Sequence, residues 1–131
     1  MSQKKVQGMT HNQLQSKCFL YFWNTYPELR GLLFSVNNNL TSSLKGKAGA
    51  ARMAALKALG VVAGVTDFLF YYKGVLHAWD IKVGYDKLRP EQIDFIDKVT
   101  KNGGEGREVR SFEEFVKLVE SLVAESERSV S

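Results

Sequence analysis

The stretch GVTDFLFYYKGVLHAWDIKV, residues 64–83, decides how this chain folds. It predicts two short strands joined by a turn at Lys73-Gly74. With that turn, the numbers of opposed residues have a constant sum, so Asp67 faces Asp80 on one side of the hairpin. Alternation along the second strand places Lys82 on the same face as Asp80. Two carboxylates and one ammonium group are therefore expected on one patch of the sheet.

The opposed aspartates are unusual, because like charges on directly opposed residues destabilise an antiparallel pair. A divalent cation between the carboxylates would reverse the sign of that interaction. A structural alternative stays open, in which Asp67 starts a strand at its solvent end and Asp80 with Lys82 forms an exposed edge pair. The other face of the hairpin is aromatic and β-branched, as expected for a packing face: Phe68, Phe70, Tyr72, Val75, His77, Trp79, Ile81 and Val83.

These residues resemble the active-site motif of the PD-(D/E)xK nucleases. The motif consists of Asp67, a spacer and Asp80-Ile81-Lys82, with Thr66 where the family usually has proline. The preceding GVVAGV at residues 60–65 and the following Pro90-Glu91-Gln92 are similar to the VRR-NUC branch, the virus-type replication-repair nucleases. The resemblance is to the small stand-alone form found in phages and prophages, and it runs from about residue 14 to about residue 122.

The resemblance implies a restriction-endonuclease-like α/β core, a mixed β-sheet flanked by helices in the order α-β-α-β-β-α-β-α. It implies Mg²⁺ or Mn²⁺ held by Asp67, Asp80 and the main-chain carbonyl of Ile81. Lys82 would act on the scissile phosphate or the attacking water, and Gln92 would bind water or phosphate. Small stand-alone relatives tend to be homodimers that cut branched DNA such as Holliday junctions, so a structure-selective DNA endonuclease is expected.

One residue departs from the family pattern. Similar sequences have an acidic residue four places before the glutamine that matches Gln15, and this chain has His11 there. A neutral imidazole can ligate a metal, but magnesium prefers oxygen ligands. His11 is thus either a metal ligand or an exposed histidine of the first helix. It also motivates an alternative function, a catalytically weakened protein of the same fold that binds DNA structures without cutting them.

Charge is distributed unevenly along the chain. The net charge is +4, but residues 1–60 hold eight Lys or Arg and one acidic residue, a net +7. The remaining residues hold ten Lys or Arg and thirteen acidic residues, a net −3. A basic half indicates a polyanionic partner such as DNA, and Lys45, Lys47 and Arg52 are the expected backbone contacts. A solvated basic surface, or a structural subunit without a nucleic-acid role, fits the same charges.

Length and composition predict one domain. The 131 residues, 44% of them hydrophobic, can bury a core without disulfides or structural metals. Cys18 is expected to be a packed thiol, and the chain has no Cys/His cluster typical of zinc sites. Without a signal peptide or long apolar run, a soluble intracellular protein is expected. The resemblance to phage and prophage nucleases implies the cytoplasm of a bacterial or phage-infected cell. The predicted domain spans residues 10–124, with disordered tails at 1–9 and 125–131.

The remaining elements follow from capping and periodicity. Thr10 and Gln13 form a capping-box pattern that opens a helix to about Tyr26, in which Phe19 and Trp23 widen the apolar face. Pro90 begins another helix, in which Gln92 should point toward the sheet. The other predicted elements are a strand at 32–36, a polar loop at 37–47, a helix at 48–59, a strand at 107–110 and a helix capped by Ser111 and Glu114.

Overall fold

The computed structural model describes residues 8–36 and 46–130, with side chains as far as residue 125. A four-stranded mixed sheet lies between helices. The elements, in chain order, are α1 (His11–Thr25), a 3₁₀ turn (Pro27–Leu29), β1 (Leu33–Ser35), α2 (Gly46–Ala58), β2 (Phe68–Tyr72), β3 (Val75–Ile81), α3 (Pro90–Lys101), β4 (Glu105–Val109) and α4 (Phe112–Val130).

The strands lie side by side in the order β1-β2-β3-β4. The pairs β1-β2 and β2-β3 are antiparallel, whereas β4 runs parallel to β3. Antiparallel neighbours can be joined by a tight turn, but a parallel neighbour needs a crossover connection. Here α3 is that connection. It therefore lies against β3, which contains Asp80 and is directly followed by Lys82.

The central hairpin has the predicted turn and register. Lys73 and Gly74 both have positive φ, 52° and 83°, as a two-residue hairpin turn with the favoured twist requires. Tyr72 pairs with Val75, and Phe68 pairs with Trp79. Continuing this register by one residue places Asp67 across from Asp80, just beyond the end of the ladder.

One face of the sheet is covered by α1 and α4. The helix α1 begins as predicted, because the Thr10 side chain accepts a hydrogen bond from the Gln13 N–H and the Gln13 side chain accepts from the Thr10 N–H. Cys18 is fully buried, and burial raises the pKa of its thiol to about 12, as expected for a packed cysteine. The buried core is made of Leu14, Cys18, Phe22, Leu33, Phe68, Phe70, Tyr72, Trp79, Ile81, Val109, Phe115 and Val119.

A polar group is built into this core face. Glu105 at the start of β4 accepts a hydrogen bond from the Trp79 indole at 2.6 Å and lies 2.8 Å from Nδ1 of His77. Burial alone would raise the pKa of Glu105, but hydrogen bonds with His77, Trp79 and Arg107 outweigh it and lower the pKa to about 2. The ionised carboxylate therefore joins β3 to β4 at the end of the ladder away from the aspartates.

The opposite face of the sheet is covered by α3 over β3 and β4. As predicted, Gln92 points toward the sheet, and only 5% of it is exposed. Its neighbours on the sheet face are Asp80 and Lys82, which alternate with the core-facing Trp79 and Ile81. Burial of three polar side chains at one place requires that they satisfy each other.

Several predicted boundaries were wrong. The helix α2 begins at Gly46, so Lys47 is helical and not part of the polar loop, and residues 37–45 lie outside the described residues. The last strand begins at Glu105 and ends before Arg110, because pairing with β3 extends it. The helix α4 continues to Val130 instead of giving way to a disordered tail at residue 125, and the two Glu and one Arg of this segment favour helix. Of the predicted N-terminal tail, residues 1–7 are not described.

Candidate metal and phosphodiester site

The open end of the hairpin brings Asp67 and Asp80 together. The Asp67 N–H donates to Oδ1 of Asp80 at 3.0 Å, and the Ile81 N–H donates to Oδ2 of Asp67 at 2.8 Å. Each carboxylate thus accepts a main-chain N–H from the strand that carries the other. These bonds satisfy main-chain donors where the ladder ends, and they hold the two carboxylates side by side.

Lys82 lies on the same face and is 9% exposed. Its Nζ is 3.0 Å from Oδ2 of Asp80 and donates to Oε1 of Gln92 at 3.0 Å. The same Gln92 oxygen accepts the Arg89 N–H at 2.9 Å, which ties the ammonium group to the start of α3. The contact with Asp80 is an ion pair, and Oδ2 of Asp80 has no other hydrogen-bond donor among the described residues.

His11 belongs to this site as well. From the first turn of α1, its Nε2 lies 2.9 Å from Oδ2 of Asp67. The interpretation of His11 as a histidine that only faces solvent was wrong in this respect. Partial burial lowers the pKa of His11, but the hydrogen bond to Asp67 and the charge of that carboxylate outweigh it, so the pKa is raised overall.

Burial, and repulsion from the Asp67 carboxylate, both affect the pKa of Asp80, which is 1% exposed. Loss of water around the carboxylate, followed by the charge of Asp67, raises the pKa of Asp80, although Lys82 opposes the shift. Burial is the larger cause of the raised pKa of Asp80, and the part that comes from Asp67 is expected when two carboxyl groups lie close together. Such pairs are common where a cation or a proton is handled.

The donor set fits a hard divalent cation. Within residues 8–36 and 46–125, the hydrogen bonds to the Asp67 carboxylate both go to Oδ2, which leaves Oδ1 available, and Oδ2 of Asp80 has only the Lys82 ammonium group as a partner. Carboxylate oxygens are what Mg²⁺ and Mn²⁺ prefer. The same described residues contain no group of three His, Cys, Asp or Glu side chains that could hold a metal. A cation bound here would therefore need main-chain or water oxygens to complete its coordination, and the carbonyl of Ile81 as a ligand stays a prediction.

The segments on either side of the hairpin position this site. Gly64 has a φ of +89°, and a side chain there would overlap the main-chain oxygen of Glu91. The GVVAGV segment therefore rests directly on the first turn of α3, one residue before Gln92. Any larger residue at Gly64 would push α3 away and with it the acceptor for Lys82.

Two of the three predicted DNA contacts are described, and neither is among the residues that contact the carboxylates. Lys47 and Arg52 are exposed on α2, which makes few contacts with the other described elements. Lys45 lies outside the described residues. A role of these three residues in DNA binding stays a prediction.

A second feature, which the sequence analysis missed, lies next to the carboxylates. Phe19 and Trp23 were assigned to the apolar face of α1, but they line a groove of about 690 Å³ between α1 and β1, together with His11 and Asp67. The sequence shows that Phe19 and Trp23 are four residues apart and therefore lie on the same side of α1. That this side faces β1 across open space follows only from the tertiary packing.

This fold has a match among solved structures. A chain described as "VRR_NUC domain protein" superposes with a TM-score of 0.63 over 88% of this chain and 88% of that chain, at 17% sequence identity. The two chains share a fold. The VRR-NUC resemblance noted in the sequence is thereby supported at the level of the fold, with a four-stranded mixed sheet flanked by helices. No family model and no curated protein matches the sequence.

One further observation concerns membranes. In residues 8–36 and 46–130, no helix is both long enough and apolar enough to span a bilayer.

Proposed function

We propose that this protein is a divalent-metal-dependent nuclease that hydrolyses phosphodiester bonds in DNA. The observation that carries the proposal is the pairing of Asp67 with Asp80 across the open end of the hairpin, with buried Lys82 on the same face. The shared fold with a VRR_NUC domain protein supports it. A bound cation would lower the pKa of a water ligand and offset the charge that gathers on the phosphate.

The proposal gives each side chain a separate task. Asp67 and Asp80, with the Ile81 carbonyl, hold Mg²⁺ or Mn²⁺. Lys82 contacts a phosphate oxygen or the attacking water, and its low exposure makes this charge more effective than it would be in water. Gln92 holds the ammonium group in place through the hydrogen bond at 3.0 Å and acts as a positioning residue.

We also propose branched DNA, such as a four-way junction, as the substrate and a homodimer as the active form. The support is the VRR-NUC resemblance, together with the net +7 of residues 1–60. One catalytic centre cuts one strand, so symmetric cutting of a junction needs two copies related by a two-fold axis. The cytoplasm of a bacterial or phage-infected cell is the compartment that this substrate implies.

A second candidate function is DNA-structure binding without cutting. The observation that favours it is the hydrogen bond between His11 and Asp67, since it occupies one oxygen of a proposed metal ligand. The 1% exposure of Asp80 points the same way, because a cation must displace side chains to reach it. In this case His11 replaces the cation as the positive partner of the carboxylates.

One assay tests the proposal and separates the two candidates. Supercoiled plasmid and a synthetic four-way junction are incubated with the protein in Mg²⁺, in Mn²⁺ or in chelator. Cutting that requires metal, and is lost in Asp80→Asn but kept in the exposed control Asp94→Asn, supports the nuclease. Junction binding without cutting in any metal, and no metal binding by calorimetry, would refute it and favour the second candidate.

A further inference from the structure

The groove between α1 and β1 joins the carboxylate site to an aromatic surface. On one side it is lined by residues of α1 that are spaced by about one turn, and on the other by β1 and its neighbours. Its volume of about 690 Å³ lies within the range of about 300–1,000 Å³ that is typical of small-molecule sites. The lining residues used below are Gln15, Phe19, Trp23, Phe34 and Ser35.

The far part of the groove offers aromatic rings to solvent. Phe19 lies 5.9 Å from Trp23 and 6.3 Å from the buried Phe68, measured between ring centroids, so it connects the exposed Trp23 to the core. Trp23 is 40% exposed and Phe34 is 43% exposed. Arg30 lies over the Trp23 ring, 4.8 Å from its centroid, and donates to the Trp23 carbonyl at 2.8 Å. The Arg30 guanidinium group thus places a positive charge over the exposed Trp23 ring.

The near part of the groove is polar and ends at the candidate site. His11 and Asp67 belong to both, so the groove continues from the proposed scissile position without a break. Gln15 donates to the Ser35 hydroxyl at 3.1 Å across the groove. Amide and hydroxyl groups of this kind, with Asn12 and Ser16 beside them, can bind the edge of a nucleobase.

We infer that this groove binds an unpaired nucleotide next to the cleaved phosphate, with its base stacked on Trp23 and Phe34. The inference rests on the proposed function and names the part of the DNA that it requires. A base inside a duplex has both faces covered by its neighbours, so only an unpaired or displaced base can stack on protein rings. The substrate class is therefore DNA with a single-stranded or opened segment at the cutting position.

The two tryptophans allow a direct test, because Trp79 is fully buried whereas Trp23 is not. Intrinsic fluorescence is titrated in chelator with a single strand of four thymidines, and separately with an abasic phosphodiester strand of equal length. We expect quenching by the thymidine strand only, and loss of this quenching in Trp23→Phe. Trp23→Ala should weaken binding by about 5- to 150-fold, which corresponds to the stacking contribution of one base. Leu20→Ala, an exposed residue of α1 outside the groove lining, is the matched control and should bind normally.

The outcomes separate this inference from the nuclease proposal. Absence of quenching by the thymidine strand, or equal quenching by the abasic strand, would overturn the groove assignment whether or not the protein cuts DNA. Quenching by thymidine in a protein that never cuts DNA would retain the groove and reject the nuclease. A change in Trp23 fluorescence with protein concentration alone, together with dimer mass in sedimentation, would place a second copy of the chain in the groove and overturn the inference.

Discussion

Asp67 and Asp80 each accept a main-chain N–H from the strand that carries the other, at 3.0 Å from Asp67 N to Asp80 and 2.8 Å from Ile81 N to Asp67. Two like charges are thus held together by main-chain donors at the point where the ladder ends. Lys82 supplies a positive partner to Asp80, and His11 lies 2.9 Å from Asp67 and becomes a positive partner when it is protonated. The arrangement keeps a negative pair in place without a cation, and it leaves oxygens that a cation can bind.

Replacement of either aspartate by asparagine should abolish cutting and preserve the fold. In Asp67→Asn and Asp80→Asn, the amide oxygen can still accept the same main-chain N–H, so the hairpin end stays closed. The charge needed to hold a divalent cation is lost. Metal-dependent cutting and calorimetric metal binding are the measurements, and Asp94→Asn is the exposed control. Full activity in both variants would remove the metal-site hypothesis.

Lys82 and Gln92 should differ in how they affect activity. Lys82→Ala should reduce the rate of cutting by about 10²–10³-fold, as loss of one group that stabilises transition-state charge does. Gln92→Ala should lower the free energy of unfolding by about 1–3 kcal/mol, because Lys82 and the Arg89 N–H lose an acceptor. It should also slow cutting, and Gln92→Glu should restore the rate because it keeps the acceptor.

The matched control for Gln92 is Ile93→Ala, which removes an exposed neighbour on α3. Unfolding in urea and initial cutting rates are measured for all variants. If Gln92→Ala cuts DNA at the normal rate, Gln92 does not position Lys82 for catalysis.

His11 should make stability depend on pH. The pKa of His11 is raised overall by Asp67, so its contribution is fully present below the unfolded pKa of about 6.5 and is lost as pH rises through the folded pKa. The difference in unfolding free energy between the unmodified protein and His11→Ala should therefore be larger at pH 5 than at pH 8.5. Urea unfolding at both values measures it, and an equal difference would show that the ion pair does not form.

His11→Glu tests the departure from the family pattern. If His11 occupies the position of an acidic ligand, the glutamate should raise activity or shift the metal preference toward Mg²⁺, because it supplies a hard oxygen donor. Cutting rates in Mg²⁺ and Mn²⁺ are compared with those of His11→Gln, which has no charge. Unchanged rates in both metals would discard the ligand role.

Glu105 should govern stability in acid. Its pKa of about 2 lies below the ordinary value of 4.5, so its contribution is present above about pH 4.5 and is lost as pH falls toward 2. Glu105→Gln should flatten the fall in unfolding free energy over this interval, by about 1–3 kcal/mol. Thermal or urea unfolding from pH 5 to pH 2 measures it, with Glu113→Gln, an exposed residue at the start of α4, as the control. Parallel curves for Glu105→Gln and the unmodified protein would exclude this role.

DNA affinity should depend strongly on salt through the basic half of the chain. Charge reversal at Lys45, Lys47 and Arg52 should weaken all DNA substrates similarly, because phosphate contacts carry no sequence information. Each lost phosphate contact should flatten the plot of log affinity against log salt by about 0.9. Lys117→Glu, on α4 outside the basic half, is the control. An unchanged slope would place the DNA surface elsewhere.

The central hairpin could be predicted from the sequence because its structure depends on interactions between residues close together in the chain. The turn at Lys73-Gly74 and the alternation of aromatic residues fix the register, and a slip by one residue would move every aromatic side chain to the wrong face. The opposition of Asp67 and Asp80 and the position of Lys82 follow from the same rule. The capping box at Thr10 and the inward orientation of Gln92 depend only on helix geometry.

The sequence by itself therefore determined the central hairpin, the starts of α1, α3 and α4, and the face on which the charged residues lie, since these depend on neighbours within a few positions. Tertiary structure alone decided that His11 reaches Asp67 across 56 positions, that Glu105 lies beside His77 and Trp79, and that an open groove separates Trp23 from β1. Such contacts depend on the distances at which the helices pack against the sheet. That spacing is set by the sum of all packing contacts, which no local pattern contains.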